Sequence, residues 1–265
     1  MDDDQFRILL GYLQYSWSGY RKVRKGVKKR IARHMNQLHC GNMADYIKIL
    51  DRRPGTRSEC VLQMTVSISR FFRDRRLWEL LEHRWLPDMI NRHSKGVKIW
   101  SAGCACGEEA YSFKIIYKQL AQAFQSLPEL ALRATDIHPR YLERARSGIY
   151  SRSSLKEVAP DLRETYFDSR RGGRQYGVKD YLKEGIRWEH HHLANEPPET
   201  NFNIIFLRNN VLTYCRRKAR EKALTGILNS LSPGGLLIIG CHEKLPFQPA
   251  SLTPMSELSY VFRKG

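Results

Sequence analysis

"KIWSAGCACGEEAYSFKIIYKQL", residues Lys98 to Leu120, passes from a short apolar run through a Gly-Cys-Ala-Cys-Gly turn into a stretch with helical spacing. A strand, a tight turn and a long helix in that order form the opening unit of a parallel α/β sheet. Downstream the alternation repeats through "LRATDI", "PRYLERARSG", "IRWEHHHL", "FNIIFLRN", "RKAREKALTGILNSL" and "GGLLIIGCHE". A mainly parallel sheet with helices on both faces is therefore expected, with ligands beyond the carboxyl ends of its strands. Residues 151–185, which contain "RRGGRQYG", are the least regular and are expected to be surface structure near that edge.

The turn's chemistry narrows the ligand. It does not read G-x-G-x-x-G and has no GK[ST], so a nucleotide pyrophosphate is poorly supported. Gly107 is followed instead by Glu108 and Glu109, which repel phosphate and attract a cation. The second strand ends in Asp136, whose carboxylate could accept hydrogen bonds from two ribose hydroxyls, although an acidic residue there also serves as a helix cap. S-adenosylmethionine, with a sulfonium, an ammonium and no phosphate, meets both conditions and makes a methyltransferase the leading class.

Ahead of the sheet, residues 1–92 read as a helical domain. "GYRKVRKGVKKRIARHMNQL" places Tyr20, Val23, Val27, Ile31 and Met35 at three- or four-residue steps, predicting one amphipathic helix. Arg21, Lys22, Arg24, Lys25, Lys28, Lys29, Arg30 and Arg33 lie between them without an acidic residue to pair internally. That face is either solvated or a docking surface. Further helices are expected at Met43–Leu50 and Glu59–Met64, and in "RDRRLWELLEHRWLPDMI", where Pro87 should bend or end the helix. A weak linker at "NRHSKG" marks the change to the second domain, residues 93–265.

With 45 Lys and Arg against 27 Asp and Glu, the chain carries a formal charge of +18 and should attract an acidic partner. No apolar run is long enough to span a bilayer and the N-terminus "MDDDQ" is acidic, so a cytoplasmic protein without membrane insertion is expected. The six cysteines lack a paired CxxC spacing, and His190-His191-His192 would alternate faces in a strand, so no metal site is expected.

Four ordered segments resemble the CheR-type methyltransferases, which methylate glutamate side chains of bacterial chemoreceptors with S-adenosylmethionine: "SISRFFRDRRLWELL", "KIWSAGCACGEEAYS", "ATDIHPRYLERARSGIY" and "FNIIFLRNNVLTYCRRKAREKALTGILNSLSPGGLLIIGCHEKLP". The resemblance covers most of the chain. It implies a small all-helical N-terminal domain, with a basic substrate-docking face, on a Rossmann-like class I methyltransferase sheet. Carried over by motif, Arg73 would reach into the active site and Tyr214 would line it. Ala102, Gly103, Gly107 and Glu109 would hold the methionine end of the cofactor, Asp136 with Ile137 the ribose, and His192 with Leu193 the adenine side. Asn209 and Asn210 would lie beside the methyl group, and S-adenosylhomocysteine would be the product.

Three departures are visible. "RNNVLTYC" is one residue longer than the commoner "RNVLIYF", His192 stands where Asn or Asp is usual, and no pentapeptide-docking subdomain is evident after "HEKLP". Tethering to a receptor through such a subdomain is not expected. The alternatives are a methyltransferase acting on a small-molecule carboxylate or thiol, and a basic nucleic-acid-binding protein on the same scaffold. The basic stretch has few aromatics for base stacking, and "NEPPE" has Glu199 where an aromatic would be required, which disfavours nucleic acid.

Overall fold

A computed structural model describes residues 1–67, 69–93 and 96–265. Five helices come first: α1 (Asp3–Tyr12), α2 (Trp17–Tyr20), α3 (Arg24–Gln37), α4 (Met43–Arg52) and α5 (Pro54–Met64). Asp2 and Gln5 cap α1 reciprocally: the Gln5 amide donates to the Asp2 carboxylate at 2.7 Å and the Asp2 amide to the Gln5 side chain at 3.1 Å. Val27 and Ile31 point inward with Phe6, Leu9, Tyr46 and Leu50, giving these helices a core of their own.

The basic helix starts later than its spacing implied. Tyr20 ends α2, residues 21–23 turn, and α3 begins at Arg24. The break lets α2 lie against the sheet domain, where a Cβ on Gly19 would sit 2.2 Å from the carbonyl oxygen of Thr213.

Beyond Arg73 the chain forms α6 (Arg75–Leu80), a π-helical turn (Leu81–Trp85) and α7 (Leu86–Arg92). Pro87 thus does not end the helix. Proline cannot donate to the preceding turn and its ring crowds the carbonyl there, and the widened π turn immediately before it accommodates both. Of the expected linker, Ser94 lies outside the described residues with Lys95, as does Ile68 of the first resembling segment.

The sheet follows: β1 (Gly96–Ala102), α8 (Glu108–Leu120), β2 (Glu129–Asp136) and α9 (Pro139–Ser147). Next come β3 (Ile149–Ser151), α10 (Pro160–Tyr166), β4 (Phe167–Arg170), β5 (Gln175–Val178) and α11 (Asp180–Lys183). The chain closes with β6 (Ile186–His190), β7 (Phe202–Leu207), α12 (Val211–Tyr214), α13 (Arg217–Ser230), β8 (Leu231–Ile239), β9 (Leu252–Pro254) and β10 (Val261–Lys264). The main sheet has the order β6-β2-β1-β7-β8-β10-β9, parallel from β6 to β8, with β10 antiparallel to both its neighbours. This is the Rossmann-like class I methyltransferase arrangement expected from the sequence. The order reverses between β1 and β7, so their carboxyl ends flank the switch point where such sheets bind ligands.

All six residues of β7 are buried because both faces of the sheet are covered. Ile204 and Phe206 meet α6, α8 and the π turn on one side, with Trp78 stacked on Phe206 at 5.7 Å. Ile205 and Leu207 meet Leu212, Leu224 and Ile227 on the other. Phe71 to Ile90 contribute their buried side chains to the first of these cores, while the helices up to Met64 pack in the separate helical one.

Strands β3, β5 and β4 form a separate antiparallel sheet, of which β4 and β5 lie within the stretch expected to be irregular and β3 ends at its first residue. Phe71 anchors it edge-on to Tyr150 and Phe167, at 4.8 and 5.0 Å. The chain therefore carries an inserted β element that strands of three or four residues are too short to announce.

Gly19→Ala should force α2 away from Thr213 and lower the thermal midpoint, at a cost of about 1–3 kcal/mol. A scanning-calorimetry midpoint equal to that of the wild type would show that this close approach is not required.

Candidate active site

A cleft of about 210 Å³ opens at the switch point. Its floor is the turn after β1, its sides are the segments after β2, β6 and β7, and its roof comes from the helical unit through Tyr15, Tyr20, Met64, Thr65 and Val66. Ten of the twelve residues singled out from the sequence line it: Arg73, Gly103, Glu109, Asp136, Ile137, His192, Leu193, Asn209, Asn210 and Tyr214. Ala102 and Gly107 do not. The Ala102 carbonyl accepts from the Asn210 side-chain amide at 2.5 Å, and a Cβ on Gly107 would meet Trp188 at 2.8 Å and Ala145 at 2.9 Å. With φ 91°, Gly107 seats the turn against β6 and α9.

Backbone strain gathers at this cleft. Among the described residues eight non-glycines have positive φ, and four of them, Phe72, Asp74, Ala105 and Asn209, belong to the segments that build the site. Each is pinned by a side chain. Asp136 accepts from the Ala105 amide at 2.9 Å with one oxygen and from the His138 amide at 2.8 Å with the other. Burial pushes the Asp136 carboxyl pKa up, and these backbone donors only partly oppose it. Glu243 accepts from the Asn209 amide at 2.9 Å and holds the segment after β7.

The charge arrangement centres on Arg208, which sequence reasoning had not singled out. Its side chain is 4% exposed and donates to Glu109 at 2.9 Å, to the Arg73 carbonyl at 3.2 Å and to the Asp74 carboxylate. Burial alone would lower the pKa of this guanidinium, and the carboxylates of Glu109 and Asp74 outweigh it to leave a net rise. Glu109, expected to face the cofactor's cations, therefore divides its oxygens between Arg208 and the Ser101 hydroxyl, the latter at 2.6 Å, while still bordering the cleft. One signal for Arg208 was available: an arginine closing the apolar run "FNIIFL" enters the protein at a strand's end and must find counter-charges there.

Arg73 differs from its exposed neighbours. Arg75 and Arg76 pair with Glu79 and Arg70 with Glu157, whereas Arg73 is half-buried and reaches Asn209 at 3.2 Å. Asn210 donates its side-chain N–H to the Ala102 carbonyl and accepts from the Val211 N–H with its oxygen, and Asn209 is the asparagine whose side chain meets Arg73. Tyr214 lies against Tyr20 at 4.9 Å, and its phenol pKa is raised by burial and by Glu243, with Arg73 opposing. Cys104 and Cys106 are buried thiols whose pKa burial raises, which suppresses their reactivity. Among the described residues no three of His, Cys, Asp and Glu are grouped to hold a metal ion.

The donor set suits S-adenosylmethionine. Asp136 can accept from hydroxyls, Glu109 stands near any cation in the cleft, and the turn at Gly103–Ala105 offers close backbone approach. Leu193 supplies an apolar surface for a ring.

Glu108, beside this turn, is 3% exposed and has a buried oxygen without a partner among the described residues. Burial raises its pKa, so the folded state holds the proton more tightly than the unfolded chain. As pH rises from the ordinary value near 4.5 through the displaced one, the wild type should lose stability relative to Glu108→Gln. Thermal midpoints measured from pH 4 to 8 should diverge upward in favour of the variant. Parallel curves would mean that the ionised form is fully compensated.

Comparison with known proteins bears out the family. The CheR methyltransferase, SAM binding domain, matches residues 67–261. A chemotaxis protein methyltransferase of Vibrio parahaemolyticus is 30% identical over 224 residues, covering 83% of this chain and 80% of that one. One from Listeria monocytogenes is 28% identical over 237 residues, covering 89% and 87%. A 104.1 kDa protein of Rhodobacter capsulatus is 27% identical over 221 residues, 83% of this chain but only 23% of that longer protein. With strand order, cleft and family match in agreement, the chain belongs to the CheR family of S-adenosylmethionine-dependent methyltransferases.

Proposed function

We propose that the chain transfers a methyl group from S-adenosylmethionine to glutamate side chains of an acidic, helical protein of the chemoreceptor kind. The observation that carries this reading is the reach of Arg73 to Asn209 across the same cleft that Glu109 and Asp136 border. A cationic fork thereby lines the same cleft as the carboxylates suited to a sulfonium cofactor. Relatives named chemotaxis protein methyltransferases agree with an acceptor that belongs to chemotaxis.

When bound, S-adenosylmethionine supplies an activated methyl group. The chain's own residues have little proton chemistry to do, because a glutamate with an ordinary pKa near 4.3 is already ionised at neutral pH. Arg73 orients the acceptor carboxylate through paired N–H donors. Tyr214 closes the cleft beside it and offers a hydroxyl to the acceptor. The roof of Tyr15, Tyr20 and Val66 excludes water, which strengthens both contacts.

The partner is read from the helical unit. Arg24 and Lys28 are taken by Asp3, at 3.2 and 2.8 Å, and Arg30 donates to the carbonyls of Gln63 and Thr65. Lys25, Lys29 and Arg33 remain exposed at four-residue spacing, with Arg21 and Lys22 exposed before α3. This stripe fits an acidic helix. Among the described residues no helix is long and apolar enough to cross a membrane, and a cytoplasmic site of action follows from the proposed acceptor.

Methyl label transferred to a receptor cytoplasmic fragment should be released by mild alkali, as a carboxyl ester requires. Arg73→Ala should lower turnover by a factor on the order of a hundred while leaving cofactor affinity within a few-fold. Alkali-stable label, or label confined to small molecules, would refute the glutamate reading.

A further inference from the structure

We infer that Asp74, which does not line the cleft, is a positioning residue for methyl transfer: through Arg208 it fixes the backbone that delivers Arg73 and ties it to the turn bearing Glu109. The inference rests on the methyltransferase reading and adds to it a residue that touches neither cofactor nor acceptor.

Three observations carry it. First, Arg73 is flanked by Phe72 at φ 51° and Asp74 at φ 65°, both in the left-handed region disfavoured for residues with a Cβ. Such a conformation persists only where its surroundings impose it. The Phe72 amide donates to Ser112 at 2.9 Å, and the Arg73 carbonyl accepts from the Trp78 indole at 2.7 Å and from Arg208 at 3.2 Å.

Second, Asp74 occupies the N-cap position of α6 yet makes no capping hydrogen bond. An aspartate there ordinarily bonds an amide two or three residues on. Here the carboxylate turns away to Arg208, and its other oxygen accepts from the Cys241 thiol at 3.7 Å. The ordinary structural use of this residue is thus given up for a contact with the site.

Third, Arg208 joins the two sides. One terminal nitrogen holds Glu109 in the first turn of α8, and the other holds both the Asp74 carboxylate and the Arg73 carbonyl. Asn209, the next residue, receives the Arg73 side chain. Removing the Asp74 carboxylate leaves the Glu109–Arg208 and Asp136–Ala105 contacts in place, so the cofactor wall survives while the Arg73 segment loses its tether.

A double-mutant cycle in the full chain tests this. Asp74→Asn should lower kcat by about ten-fold or more, with KM for the acceptor and cofactor affinity by calorimetry within about three-fold. In an Arg73→Ala background the same substitution should cost less than about two-fold further, because the residue it positions is gone. Losses that multiply independently would overturn the inference, as would a loss of cofactor affinity equal to the loss of turnover. Asp74→Glu, which keeps the charge, should restore part of kcat, and it enters the cycle in place of Asp74→Asn if that variant does not fold.

A second arm needs no acceptor. The Arg73 Nε–H resonance, assigned by its disappearance in Arg73→Lys, should be dispersed in the wild type and collapse toward the exposed-arginine position in Asp74→Asn. An unmoved resonance would overturn the inference on its own. If the wild type methylates no acceptor, the functional reading fails while this arm still decides the role of Asp74.

Discussion

Arg208 follows six buried residues, Phe202 to Leu207, so its guanidinium enters the protein where water cannot solvate it. A cation in that position must be met by carboxylates, and breaking such a buried pairing typically costs about 3–5 kcal/mol. The two that meet it come from separate parts of the chain, Glu109 from the first turn of α8 and Asp74 from the start of α6. One charge at the end of one strand thereby requires β7, the cofactor turn and the Arg73 segment to converge. The placement of the cleft at the sheet's switch point follows from topology, and its chemical character follows from this pairing.

The same logic explains how the helical unit belongs to the site. Its own core could fold beside the sheet in many orientations, yet Tyr15 bridges to Cys215, the Ser16 amide donates to the Tyr214 carbonyl at 2.7 Å, and Gly19 permits close contact with Thr213. Arg30 then fixes Thr65, which lines the cleft. The cations of this unit fall into two groups: those facing α1 and the end of α5 hold the unit together, and those on the outer stripe remain exposed.

Much of this was legible in the sequence because it rests on strong local patterns. The buried run "FNIIFL", the turn before Glu108 and the acidic end of β2 each carry a period or a residue type that few other structures would produce. What was hidden depends on contacts between distant segments. The pairing of Arg208 with Asp74 spans 134 residues, about half the chain, and nothing around Asp74 distinguishes it from a helix cap. The break between α2 and α3 arises because Gly19 must meet Thr213, while the spacing of Tyr20, Val23 and Val27 fits one helix equally well. The two asparagines of "RNNVLTY" look alike in the sequence and differ only in distant contacts, Asn210 bonding Ala102 and Val211 and Asn209 meeting Arg73.

Calorimetric titration of the intact chain with S-adenosylmethionine and S-adenosylhomocysteine, set against Asp136→Ala, reaches the central claim most directly. The account predicts dissociation constants on the order of micromolar for both and loss of binding in the variant, because Asp136 both borders the cleft and pins the Ala105 turn. Absence of binding by the wild type would contradict it, leaving a methyltransferase scaffold whose cleft serves some other ligand.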